Sequence, residues 1–277
     1  VILTAMSSAV IFEWLCRMGM GRKSSIQDHS ALAQGLMLGM ILPPNSALWL
    51  VVIASFLTIV IGKQIFGGLG CYPFNPVAIA LAMITVSYPA RMSSHFNLLN
   101  SAPEGQFLEP LAALKSFGTG VVGTYNMKDL FLGVQNGGIG SGAVLLLLAG
   151  GLYLILRGFI SGRVVASYFA GVYLTALAFH AANPETYADP MFHLLSGLTT
   201  FAGVFLLTDY TVCPVNRFPR MIYGLLAGVL LILIRNIGQY PDGAIFAVLI
   251  LNLFHPLLDR IHKPVIGLDV KAIEIPE

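Results

Sequence analysis

The sequence predicts an all-α polytopic membrane protein with about nine transmembrane helices. Three observations carry that prediction. Charged residues make up only 10% of the 277 residues, against about 25% in a soluble domain. Aliphatic, aromatic and sulfur-bearing residues reach 56%, and mean hydropathy is +0.80. The apolar residues also gather into nine segments, of which the longer ones approach the roughly 20 residues that a membrane-crossing helix needs.

So few charges cannot cover the surface of a soluble enzyme of this size. The composition excludes a soluble globular protein, a disordered chain, a collagen and a nucleic-acid binder, and leaves the lipid bilayer as the first partner. The net charge is only +2. The cysteines Cys16, Cys71 and Cys213 are too few and too scattered for a disulfide framework or a Cys metal site.

Taken in order, the segments are 1–15, 30–42, 47–62, 76–88, 139–156, 164–180, 191–208, 220–234 and 243–258. The first begins at Val1 without the charged n-region of a signal peptide and runs into Arg17, Arg22 and Lys23. The chain is therefore expected to lack its natural N-terminus. Segments 30–42 and 76–88 are short, as half-helices ending inside the protein would be, or spans extended by buried polar flanks.

Basic residues mark one side of this topology. They lie in 16–28 (Arg17, Arg22, Lys23), 157–163 (Arg157, Arg163), 209–220 (Arg217, Arg220) and the tail (Arg260, Lys263, Lys271). With nine crossings all four regions share a face, which by the positive-inside rule is cytoplasmic and includes the C-terminus. The interleaved loops 181–190 and 236–242 contain no Lys or Arg. Loop 89–138 then lies outside. The reading is one membrane domain over 1–277, with a first repeat in 1–88, a long extracytoplasmic loop in 89–138 and a second half with a second repeat in 139–277.

The repeat rests on a shared order: acidic residue, short Gly-containing helix, Pro-Asn turn, long helix, Gly/Pro break, helix. One copy starts at Asp28 and the other at Asp189. Opposite starting directions make it an inverted repeat, and in such folds sites gather where broken helices meet near the midplane.

The densest motif is KQIFGGLGCYPFNP, residues 63–76. Gly67, Gly68 and Gly70 permit left-handed or closely approached backbone, while Pro73 and Pro76 stop a helix. Non-helical backbone at membrane depth must be buried in protein or line a cavity. A ligand or ion site involving Gln64, Asn75 and the free N–H groups at the next helix start is one reading, and a tight turn is the other. Asp242, in YPDGAIFAVLILN, fits a helix N-cap or a cation-entry carboxylate. Asp209 ends a long apolar span and fits a cap, a partner for Arg220 or a cation attractor. Arg235 at a helix end is expected to snorkel. His180, His193 and His255 are expected to be hydrogen-bonded structural residues, since no His pair has metal-ligand spacing. No catalytic triad or nucleophile elbow is present.

The stretches GKQIFGGLGCYPFNPVAIALAMITVSYP, KDLFLGVQNGGIGSGAVLLLLAGGLYLILRGFIS, DPMFHLLSGLTTFAGVFLLTDYTVCPVN and RMIYGLLAGVLLILIRNIGQYPDGAIFAVLILNLFHPLLDRIHKP resemble the RnfD/NqrB family. The resemblance covers nearly the whole chain in order. It implies a membrane subunit of an ion-translocating electron-transport complex, about ten helices in an inverted repeat akin to urea and ammonium channels, and a bacterial or archaeal inner membrane. It also implies other membrane and peripheral subunits as partners, any iron–sulfur centre belonging to them or shared with them. Flavin follows too: FMN esterified to a Thr of a Ser/Thr-Gly/Ala-Ala-Thr-Pro-Leu motif in the outside loop, and a riboflavin held without a covalent bond.

Two departures bear on the flavins. The motif here ends in PLAALK, residues 110–115, preceded by Gln106, Phe107, Leu108 and Glu109, so Glu109 stands at the acceptor position. A carboxyl side chain has no hydroxyl for that phosphoester, and covalent FMN is not expected. In the Gly-rich motif, Tyr72 replaces an Asn while Asn75 remains. Riboflavin or FMN held non-covalently near Gly67, Gly68, Gly70, Tyr72 and Asn75 is the flavin reading left open, with Gln64, Asp209 and Asp242 as ion-pathway candidates and no catalytic residue or metal. Two other functions stay open: a flavin-free anchor subunit, and a small-solute channel.

Overall fold

A computed structural model describes residues 1–22, 26–92 and 109–261. Lys23, Lys263, Lys271 and the motif residues 106–108 lie outside them. Among the described residues no strand occurs. In chain order the helices are α1 (Ile2–Gly19), α2 (Ser30–Ile41), α3 (Leu48–Phe56), α4 (Pro76–Ser87), α5 (Pro89–Met92), α6 (Pro110–Phe117), α7 (Met127–Leu132), α8 (Val144–Leu156), α9 (Gly162–Ala182), α10 (Pro190–Leu195), α11 (Thr199–Phe201), α12 (Arg217–Ile237) and α13 (Ala244–Asp259). Two π-helical stretches extend them, Leu57–Gln64 after α3 and Ala202–Leu206 after α11.

Helices α1, α9 and α12 are long and apolar enough to cross a membrane. The shorter apolar helices α2, α3 with its π extension, α4, α8 and α13 join them. This all-helical, apolar set fits a multi-pass membrane protein. The starts follow local chemistry. Asn75 caps α4 by accepting from Val77 N and Ala78 N, with Pro76 in the first helical position, where no N–H is needed. Asp189 and Pro190 do the same for α10.

Segment 191–208 departs from the expected single helix. Ser196 is extended and Gly197 takes a φ of +66°, which separates α10 from α11. The cause is tertiary: a Cβ on Gly197 would stand 2.5 Å from Asp242 Oδ2. The next N–H, of Leu198, donates to that oxygen at 2.6 Å instead of to a helix carbonyl. The eighth helix also starts at Val144 rather than at 139. The turns before it spend Ile139 N and Gly140 N on Leu42 O and Met40 O, closing the open end of α2.

Close helix contacts are made by small residues, as expected where lipid removes most of the hydrophobic drive between helices. On α2, a Cβ at Gly35 or Gly39 would meet the α1 backbone at 2.8 and 2.9 Å. On α12, Gly224 and Gly228 lie against the carbonyls of Val164 and Tyr168 on α9, and Gly171 of α9 lies against Leu225 O. Both contacts use glycines four residues apart on one helix face. The main core joins α1–α4 to α8, α9, α12 and α13 through residues such as Leu38, Leu50, Leu81, Tyr168, Tyr223 and Leu251. A second cluster seats α6 and α7 on α10 through Leu111, Leu130 and Phe192.

A methyl group at position 228 would press on the Tyr168 carbonyl, so Gly228→Ala is expected to cost about 1–3 kcal/mol. Gly150 on α8 has open space around it, so Gly150→Ala should be neutral or gain up to about 1 kcal/mol of helix propensity. Thermal unfolding in detergent checks both, and equal loss for the two would refute the packing argument.

Candidate functional site

The Gly-rich break between the π turn and α4 is held from both sides. Gly67, Gly68 and Gly70 have φ of +115°, +108° and +90°, a region that side chains rarely adopt. Gly68 also leaves room for the Arg17 guanidinium, whose Nη2 lies 2.8 Å from where a Cβ would be. Arg22 Nη1 donates to Gly67 O at 3.3 Å. At the other end of the break, the Tyr72 hydroxyl donates to Asp209 at 3.1 Å, and Asn75 Nδ2 donates to Asp209 Oδ2 and Leu206 O, each at 3.3 Å. Tyr72 and Asn75 are buried. Asp209 therefore ties the break of the first half to the end of the second π turn. Burial pushes its carboxyl above the ordinary range, while donation from Thr211 N and Tyr72 pulls the other way. Arg220 is not its partner; that side chain donates to Pro214 O.

Gln64 goes elsewhere. Lys63 Nζ donates to Glu13 Oε2 at 2.8 Å and to Ser30 Oγ at 2.6 Å, and Gln64 Nε2 donates to Glu13 Oε1 at 3.1 Å. The side chains of Glu13 and Lys63 are fully buried. The widened π turn lets two consecutive residues reach the same carboxylate. Sequence reasoning missed Glu13. The available signal was an acid inside the first apolar segment, which is a functional candidate by default.

The second break lies between α12 and α13. Asp242 Oδ1 accepts from Ala244 N and Arg235 Nη2, both at 3.0 Å, and Oδ2 accepts from Leu198 N. Asp242 is thus the expected cap and also half of a buried ion pair. Arg235 does not snorkel. It is buried, with Nη1 on His193 O at 2.9 Å and Nη2 also on Thr199 Oγ1 at 2.8 Å. The nearest satisfied partners are in the protein, so the guanidinium stays. His193 is buried too, and neither ring nitrogen has a hydrogen-bond partner among the described residues, against the expectation of a bonded structural histidine. His180 Nδ1 meets Tyr187 O at 2.8 Å, and His255 pairs with Asp259 at 3.3 Å.

Asp242 also lines a cavity of about 220 Å³, together with Glu109, Gln135, Asn136, Ser141 and Tyr240 among others. Glu109 caps no helix with its side chain. Burial pushes its carboxyl up to about 7, the charge of Asp242 adds to the rise, and Arg235 opposes it. The expected flavin chemistry can be tested against this wall. Glu109 offers no hydroxyl, and among the described residues no Lys or Arg lines the cavity. A phosphate dianion there would face the Glu109 carboxyl, with the nearby Arg235 guanidinium already paired to Asp242. Covalent FMN does not fit these residues.

The predicted residues thus fall into three groups. Tyr72, Asn75 and Asp209 are in contact, with Gly67, Gly68 and Gly70 beside them. Glu109 and Asp242 share the cavity. Gln64 belongs to the Glu13–Lys63 cluster.

A family described as NQR2, RnfD, RnfE matches residues 1–267. Curated relatives include the D component of the proton-translocating ferredoxin:NAD(+) oxidoreductase complex of Clostridium ljungdahlii, 34% identical over 96% of this chain and 82% of that protein. The D component of the ion-translocating oxidoreductase complex of Alcanivorax borkumensis is 32% identical over 95% of this chain and 83% of its own length. The protein of the same description from Pectobacterium atrosepticum is 33% identical over 87% and 78%.

Two outcomes follow from the outer site. Arg235→Ala leaves Asp242 buried without its cation and should cost about 3–5 kcal/mol in thermal or denaturant unfolding. Glu109 binds its proton more tightly folded, at about 7, than at its ordinary value of 4.5. Its contribution is present at low pH and is lost as pH rises from 4.5 through 7. Stability should therefore fall across that window, and Glu109→Gln should flatten the fall.

Proposed function

The chain belongs to the NQR2, RnfD, RnfE family, and on that premise we propose that it is the D-type membrane component of an Rnf-like ion-translocating oxidoreductase complex. The observation that carries this reading is the extent of the match, which runs through both helix breaks and both halves of the chain. The subunit sits in the bacterial or archaeal inner membrane with its C-terminus in the cytoplasm, packs against other membrane and peripheral subunits, and helps couple their electron flow to Na⁺ or H⁺ movement. Asp209 at the first break and Asp242 at the second are the acids placed to meet an ion, with Gln64 beside the buried Glu13–Lys63 pair.

An inverted repeat of 1–88 and 139–277 around an outer loop 89–138 accounts for a parallel between the halves. Each half buries a cation near the end of a long helix, Lys63 or Arg235, then breaks, then starts a helix capped by Asn75 or Asp242. Each half also packs its first two long partners through paired glycines.

Covalent FMN is absent from this subunit in our reading. A flavin bound without a covalent link is the part of the family's chemistry left open. At the 67–75 break Gly70 has open space around it, and Tyr72 and Asn75 would have to release Asp209 to receive an isoalloxazine. A bound flavin would supply one- and two-electron chemistry there, and the protein's part would be to bind and orient it. The commitment of Tyr72 and Asn75 to Asp209 favours a second reading, a flavin-free anchor subunit.

Affinity purification of the tagged chain from native membranes should recover further subunits of the complex, and a chain recovered alone would count against the proposal. In a denaturing gel the band should show no flavin fluorescence, whereas a fluorescent band would refute the loss of covalent FMN. Acid extraction followed by chromatography separates the two remaining readings: riboflavin in the extract supports the first and its absence the anchor role.

A further inference from the structure

The outer cavity holds two acceptors without donors. Among the described residues no donor or cation bonds the Glu109 carboxyl. Gln135 is locked: its Nε2 donates to the carbonyls of Gly142 and Leu195, both at 3.0 Å, and of Leu130 at 3.4 Å. That leaves its Oε1 buried and unbonded. A buried acceptor left without a donor is costly. Both residues line the same space.

The neighbouring charges do not fill the deficit. Asp242 already takes three donors, and with Arg235 it forms a pair of zero net charge. Lys115 on α6 spends its Nζ on Arg235 O at 3.1 Å and Gly238 O at 2.5 Å. His193 on α10, Tyr125 before α7 and Tyr240 before α13 are the other titratable groups around the site, and none is a cation paired with Glu109. The sign of the cavity is therefore set by Glu109.

We propose that the outer cavity is a monovalent-cation site, in which the Glu109 carboxyl, with the Gln135 amide oxygen beside it, takes a proton or Na⁺ in exchange with the outer side of the membrane. A single carboxylate and neutral oxygens match a monovalent ion. A divalent ion wants more anionic oxygen than this wall offers. The carboxyl's raised proton affinity agrees with the same enclosure. The assignment rests on the reading of the chain as part of an ion-translocating complex, and it gives that reading an exchange point.

The test is a pH titration of the protonated-carboxyl infrared band in the purified complex, in choline, potassium and sodium chloride at equal ionic strength. Glu109→Gln identifies the band, and its retained circular dichroism and subunit content show that it folds and assembles. In choline the Glu109 band should titrate near pH 7. If Na⁺ is the ion, sodium chloride should lower that midpoint by about one pH unit, a tenfold competition, and potassium should not. A midpoint near 7 that no salt moves assigns the site to the proton. A midpoint at the ordinary carboxylate value in every salt, or a band that survives Glu109→Gln, overturns the proposal. Loss of the partner subunits on purification would strike the complex reading alone, since the same titration on the isolated chain still decides the site.

Discussion

Arg235 organises the end of the molecule where two helix breaks meet. One guanidinium, buried at the end of α12, bonds the carbonyls of the α10–α11 break and the carboxylate that starts α13. Asp242 passes the constraint on, because its other oxygen takes the Leu198 N–H that the broken helix leaves open. Lys115 on α6 then caps the same helix end. Backbone groups freed by a break in hydrocarbon must be satisfied inside the protein. Here a single ion pair satisfies two breaks at once and anchors α6 over them. The broken helix, the glycine at 197 and the floor of the outer cavity all follow from it.

The first half solves the same problem differently. Its break is stabilised by a neutral amide cap, Asn75, and the anion that meets it, Asp209, comes from the other half. Its buried cation, Lys63, is neutralised by Glu13 on α1. A buried pair is costly to desolvate and is kept when every proton and lone pair finds a partner. Ser30 and Gln64 supply partners to Lys63 and Glu13. An acid of the second half thus meets each break, Asp209 held by a phenol and an amide, Asp242 by a guanidinium and backbone N–H groups.

Glu109 adds a second carboxyl to the cavity that Asp242 lines. Among the described residues no lysine or arginine lines the cavity to balance it. A site of this kind selects for positive charge or for protonation, and selects against a phosphate.

The membrane class, the helix-rich fold and most segment positions were legible in the sequence, because the lack of charge and the length of apolar runs are local properties. Short segments such as 30–42 and 76–88 matched α2 and α4 to within a residue, since Asn75-Pro76 and the Pro-Asn turn carry their own stop and start signals. The acids Glu109, Asp209 and Asp242 could be singled out by their positions beside helix starts and ends. Partners were not. Nothing near Arg235 in sequence distinguishes a snorkelling side chain from one that ties two helix breaks together, and only the fold chose the latter. The break at Gly197 was hidden inside an apolar run because its cause, Asp242, lies beyond the whole of α12 in the chain. Glu13 and Lys63 read as isolated charges until the π turn brought them together. Composition and period determine what kind of element forms, but in a bilayer the cost of an unsatisfied polar group is settled by whatever distant residue the tertiary structure brings to it.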